Sequence, residues 1–156
     1  MTLSRTDLLA GTSVFDLRPM TEEDIPDALA LWSGMSGLSL FPCDSRDGLS
    51  RYLKRNPGLS VVARKEGRLV GAALAGHDGR RGFLHHVAVA PDFRRRGVGR
   101  AMVDWCVKVV TAEGIGRCLI LVNAGNEEAK DFWRHIGWID RPNVQVMAIT
   151  PLPERA

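Results

Sequence analysis

Leu84-His85-His86-Val87-Ala88-Val89-Ala90-Pro91-Asp92-Phe93-Arg94-Arg95-Arg96-Gly97-Val98-Gly99-Arg100-Ala101-Met102 reads as a strand, a proline-marked turn, an arginine- and glycine-rich loop and the start of a helix. Gly97 and Gly99 have no side chains to keep a ligand from the backbone. The helix that follows aims its unpaired N–H groups and the positive end of its dipole at the same spot. Arg94, Arg95, Arg96 and Arg100 add positive charge. Such a loop suits a phosphate or pyrophosphate.

The loop fits neither of the two commonest phosphate-binding patterns. No Lys-Ser/Thr follows it, as a P-loop requires, and the third glycine of the dinucleotide fingerprint is missing at Met102. What is present is Arg94-x-x-Gly97-x-Gly99 directly after Val87-Ala88-Val89-Ala90-Pro91. One helix and one strand further on lies Asn126-Glu127-Glu128-Ala129-Lys130-Asp131-Phe132-Trp133-Arg134-His135-Ile136-Gly137-Trp138. By itself this second stretch is a capped amphipathic helix. Asn126 suits the N-cap, Glu127 and Glu128 suit the first turn, and Gly137 suits the stop. Ala129, Phe132, Trp133 and Ile136 share one face.

Together the two stretches resemble the GNAT superfamily of N-acetyltransferases. That family binds pyrophosphate with Gln/Arg-x-x-Gly-x-Gly/Ala and carries Asn-x-x-Ala-x-x-Phe-Tyr-x-x-x-Gly-Phe/Tyr later in the chain. The resemblance covers roughly Phe15 to Thr150.

Composition agrees with one soluble domain. The 156 residues are enough for a full core, and 45% apolar with 25% charged residues is ordinary for a globular protein. No apolar run approaches a membrane span, and the N-terminus shows no signal-peptide core. Cys43, Cys106 and Cys118 lack metal-ligand spacing; Cys106 and Cys118 fall in apolar segments and read as buried thiols. The expected compartment is a reducing cytoplasm. A net charge of +3 is mild, and the basic cluster has no interleaved aromatics, which points away from nucleic acid.

Residues 1–13 read as a loose extension, 14–150 as one domain and 151–156 as a tail. Within the domain the expected order is a strand over Val14–Arg18, a helix from Thr21 to about Trp32 and a loop over Ser33–Ser45. A helix over Asp47–Lys54 follows, then strands at Leu59–Arg64, Leu69–Ala75 and Gly82–Val89. A long helix over Val98–Ala112, a strand over Arg117–Val122 and the Asn126 helix come next. Alternation of Val144, Val146 and Ala148, or of Met147 and Ile149, predicts a final strand. The fold class is α/β (α+β layered): a GNAT-like mixed, mostly antiparallel central sheet with helices on both faces.

The resemblance implies acetyl-CoA as co-substrate and a direct transfer of its acetyl group to a primary amine, of a small molecule first and of a protein second. A non-catalytic acyl-CoA-binding or sensing module is the alternative. It implies pyrophosphate on the Arg94, Arg95, Arg96, Gly97, Val98, Gly99 and Arg100 loop. The pantetheine arm would lie along Val87, Ala88 and Val89, with Asn126 and Trp133 beside it. Members are often homodimers, but no interface is marked here.

His85 and His86 are the candidate general bases, because histidine titrates near neutral pH. On a regular strand they face opposite ways, with His85 on the side of Val87 and Val89. Either is also compatible with a packing role. Trp133 stands where the family carries a tyrosine that protonates the leaving sulfur, and indole is not a practical acid. Leu38, Phe41, Asp44 and Arg46 are candidates for the acceptor pocket, Asp44 suiting an amine and Arg46 a carboxylate.

Overall fold

The computed structural model describes residues 15–152. The expected extension over residues 1–13 lies outside them. The first strand, β1, is Asp16–Pro19. A 3₁₀ turn at Glu22–Asp24 then leads into α1, Ile25–Ser33, which has proline in its first turn. A 3₁₀ turn at Pro42–Asp44 precedes α2, Arg46–Arg55, whose N-cap Ser45 accepts from the Gly48 N–H.

Next come β2, Val61–Lys65, and β3, Arg68–His77. Glu66 and Gly67 between them both have positive φ, the pattern of a tight hairpin turn that matches strand twist. β4 is Gly82–Val89 and α3 is Val98–Ala112. β5, Cys118–Ile120, and α4, Glu127–His135, complete the chain of elements. The sheet order is β1-β2-β3-β4-β5. The first three pairings are antiparallel and β4–β5 is parallel.

Two cores lie on the two faces of this sheet. One gathers Val61, Val70, Ala73, Leu84, Val98, Met102, Cys106 and Trp133, under α3 and α4. The other gathers Ile25, Ala28, Trp32, Leu49, Leu53, Val62, Ala72 and Leu74, under α1 and α2. Helices therefore cover both faces, as the alternation of elements predicts. Cys106 is fully buried within α3, and burial pushes its thiol well above the usual range.

The final strand does not form. Val144, Val146, Met147 and Ile149 are exposed, Met147 to 91%, and residues 139–151 carry no strand. Alternation makes a strand only where a partner edge supplies the ladder. β5 is shorter than its expected span, and Pro142 lies in a turn closed by the Val144 N–H to the Arg141 carbonyl.

Candidate active site

β4 and β5 pair only over Gly82–Leu84 and Cys118–Ile120, and no strand covers the β5-facing edge of β4 beyond Leu84 among the described residues. The pair thus forms a fork, and His85 and His86 stand at its base.

The two histidines do not face opposite ways. In the β3–β4 ladder Leu74 opposes His85 and Ala72 opposes Ala88, so that Ala73 alone meets His86 and Val87. This is a β-bulge, with one extra residue on β4. His86 takes up the irregularity with φ +52. A non-glycine residue in that region costs on the order of 1–2 kcal/mol, and such outliers gather at functional sites. The bulge turns both rings toward α1 and α2. His85 lies 6.2 Å from the Tyr52 ring of α2, and His86 lies 5.2 Å from the Trp32 ring of α1. Val87 and Val89 pack on the opposite core, under α3. The expectation that His85 shares their face is therefore corrected: the period-two rule holds only up to the bulge.

His86 Nε2 lies 2.9 Å from Asp44 Oδ1. The other Asp44 oxygen accepts from the Phe41 N–H at 2.9 Å, so the carboxylate is part of its own turn. Asp44 is 9% exposed. Named from the sequence for the acceptor pocket, it faces the His86 imidazole. Trp32 is fully buried, and its indole packs at a tilt on the imidazole. His85 is half-buried, and burial, followed by the nearby His86, pushes its pKa below the ordinary value against the pull of Asp44. His77 bonds the Gly79 N–H and faces Glu113, away from the fork.

The glycine loop opens α3 without a side-chain cap. Arg95 and Gly97 both have positive φ, +61 and +79, which folds successive amides into a concave turn. Nothing lies within 4 Å of a Cβ built on Gly97, so conformation alone requires glycine there. Gly99 differs. A Cβ there would meet Phe132 at 3.3 Å and Val89 at 3.6 Å, so its smallness keeps the space between β4 and α4 open. Phe93 anchors the loop, with the Arg96 guanidinium 4.9 Å above its ring. Arg94 reaches Met35 and Glu128, and Arg100 pairs with Asp104 one turn on.

A strap from α1 crosses the fork. Gly37 carbonyl accepts from Asn123 at 3.0 Å and from Asn126 at 3.4 Å, while Asn126 caps α4 through the Ala129 N–H. Leu38 packs on the α1–α2 core, Phe41 is 61% exposed, and Arg46 is exposed on α2. Trp133 is 7% exposed, its ring 5.2 Å from Phe132 and 4.7 Å from Trp138. It is a core residue of the α4 side. The contributions of Trp32, Gly37 and Asn123 are absent from the sequence reading, because none belongs to a motif and each arrives through the α1–α2 packing or the strap.

Residues 26–138 match the acetyltransferase (GNAT) family. The chain belongs to that family. As a GNAT chain it is an acyltransferase. It is 30% identical over 112 residues to the acetyltransferase ECA0875 of Pectobacterium atrosepticum, covering 72% of this chain and 79% of that protein. An acetyltransferase of Yersinia enterocolitica, YE1169, matches to the same extent. Among solved structures, Ard1 of Thermoplasma volcanium aligns with a TM-score of 0.71 at 19% identity, over 81% of this chain and 84% of that one. Aminoglycoside N-acetyltransferase AAC(6')-Iy in complex with CoA aligns with a TM-score of 0.71 at 20% identity, over 93% and 100%. These two establish the shared fold. In this GNAT chain no described helix is long and apolar enough to cross a membrane.

Proposed function

We propose that this acetyltransferase transfers the acetyl group of acetyl-CoA to a primary amine of a small molecule. The observation that carries the reading is the fork between β4 and β5, with a basic glycine loop at its open end and two histidines at its base. The loop amides of Arg95 to Arg100 and the start of α3 suit a pyrophosphate. The unpaired edge of Val87, Ala88 and Val89 suits an amide-bearing arm, which would lie against Phe132 and beneath the strap near Asn126. Trp133 backs that wall from the core.

Bound acetyl-CoA supplies an activated acyl group on a good leaving thiol. The protein's task is the proton. A primary amine of pKa about 10.4 is only about 0.04% neutral at pH 7, so a base at the fork raises the reactive fraction. His85 and His86 both stand there, and burial keeps His85 neutral at that pH. A thiol of pKa about 8.5 departs as a fairly stable thiolate, which lessens the need for the tyrosine replaced by Trp133.

A small acceptor is supported by the strap, whose Gly37 is tied to Asn123 and Asn126 beside the fork. The buried thiol of Cys106 suits a reducing cytoplasm. The test is calorimetric titration with acetyl-CoA, with ATP and NAD as controls, followed by an amine panel. Selective micromolar binding and turnover of a panel amine are expected. No binding of any acyl-CoA would overturn the reading.

A further inference from the structure

We infer that Asp44 is a positioning residue that holds the His86 imidazole in its Nε2–H tautomer, leaving Nδ1 to take the proton of the acceptor amine. The inference rests on the acetyl-transfer reading for its chemistry, and on geometry alone for the tautomer.

His86 is fixed on three sides. Asp44 Oδ1 stands 2.9 Å from Nε2, Trp32 packs against the ring at 5.2 Å, and the His85 ring lies at 6.5 Å. A carboxylate only accepts, so the nitrogen facing it carries the hydrogen. Among the described residues no hydrogen bond to Nδ1 is seen, and Nδ1 is not among the buried polar atoms left without a partner. With its side chain 16% exposed, His86 is largely enclosed but not sealed from solvent. Among the described residues, the titratable groups seen around it are Asp44 from the 3₁₀ turn, His85 from β4 and, behind His85, Tyr52 from α2; α1 presents the uncharged Trp32.

The bulge gives a reason for this pairing. A regular strand would send one of the two histidines to the α3 side. The left-handed φ at His86 brings its ring to the turn that carries Asp44 instead. Asp44 and His86 are 42 residues apart, and the strap that holds Gly37 against Asn123 and Asn126 continues into the Asp44 turn. The segment tied down at Gly37 and the turn that faces His86 are thus one continuous stretch of chain.

The amine nitrogen forms a bond to the acetyl carbon, the C–S electron pair leaves with sulfur, and the amine proton passes to His86 Nδ1. From there it reaches the thiolate or water. Asp44 stabilises the imidazolium without taking its proton.

Nitrogen-15 NMR of histidine-labelled protein without substrate tests this directly. His86 is expected with Nε2 protonated and Nδ1 bare at pH 7.5. In Asp44→Asn, one amide oxygen still serves the Phe41 N–H while the amide NH₂ faces His86, which reverses the tautomer. A turn-only role for Asp44 predicts no reversal. With an amine found in the panel, Asp44→Asn is expected to lower kcat by about 10- to 100-fold with KM for acetyl-CoA unchanged. His86→Asn, a residue that tolerates positive φ, should abolish the acidic limb of the rate profile, whereas His85→Asn should keep it. Nδ1 protonated in the parent, or a limb that persists in His86→Asn, would overturn the inference. The parent spectrum decides the tautomer even where a variant fails to fold. The acetyl-CoA titration fails separately if the acetyl-transfer reading is wrong.

Discussion

Gly37 and Asn126 leave no space for a side chain between them. A Cβ on Gly37 would lie 2.2 Å from Asn126 Nδ2 and 3.1 Å from its Cγ. Asn126 is also the cap of α4, so its side chain is not free to retreat. Gly37→Ala therefore displaces either the strap or the cap. Overpacking of this kind costs about 1–3 kcal/mol. A lowered melting temperature is expected, together with weaker acetyl-CoA binding by calorimetry. A variant that melts and binds as the parent does would show that the strap moves freely.

Gly97 and Gly99 should respond differently to substitution. At Gly97 a side chain has space but the backbone is left-handed, so Gly97→Ala costs about 1–2 kcal/mol of stability. At Gly99 the Cβ already meets Phe132 at 3.3 Å. Gly99→Val should narrow the gap between β4 and α4 and weaken acetyl-CoA binding at least about tenfold, equivalent to about 1.4 kcal/mol. Equal affinity for Gly99→Val and the parent would remove the loop from the binding site.

His85 links stability to pH. Burial, and then His86, hold its pKa below the ordinary 6.5. Below pH 6.5 the unfolded chain takes up a proton that the folded chain resists, so stability falls with pH until the folded group also titrates. The loss of melting temperature between pH 7.5 and pH 5.5 should be smaller in His85→Gln than in the parent. An unchanged pH dependence would mean that His85 is as readily protonated folded as unfolded.

Asp24 anchors β1 and β2 to the start of α1. It is 1% exposed and meets Arg18 at 2.6 and 2.9 Å, Arg64 at 2.8 Å and the Thr21 N–H at 2.9 Å. Burial raises its pKa, but the Thr21 N–H and the Arg64 and Arg18 guanidiniums outweigh it and hold the carboxyl below the ordinary 3.8. The stabilisation is present above pH 3.8 and is lost as pH falls through the lower folded value. Arg18 is half-exposed, so Asp24→Asn should cost about 2–3 kcal/mol at pH 7, below the range for a fully buried pair. Urea unfolding at pH 7 and pH 3 checks both magnitude and sign, since the difference between parent and variant should shrink at the lower pH.

Much of the fold is legible because its signals are local. Ser45 and Asn126 cap helices by bonding residues three positions on. Glu66-Gly67 makes a turn by its own dihedrals, and Gly97 by its own φ. The final strand is misread because alternation at Val144–Ile149 describes a side-chain pattern, while a strand also needs an edge to bond. Asp44 shows the limit of local signals: a carboxylate in a polar loop has no sequence mark for a partner 42 residues away.

Local signals in the sequence are enough for the glycine loop, the helices, the order of the elements as far as the Asn126 helix and, through two motifs, the family. Each depends on residues within a turn or two of one another. Which way His86 points is settled only when the strands pair. Its direction follows from one extra residue in β4 opposite Ala73, and a bulge is a property of two paired strands that neither strand carries alone.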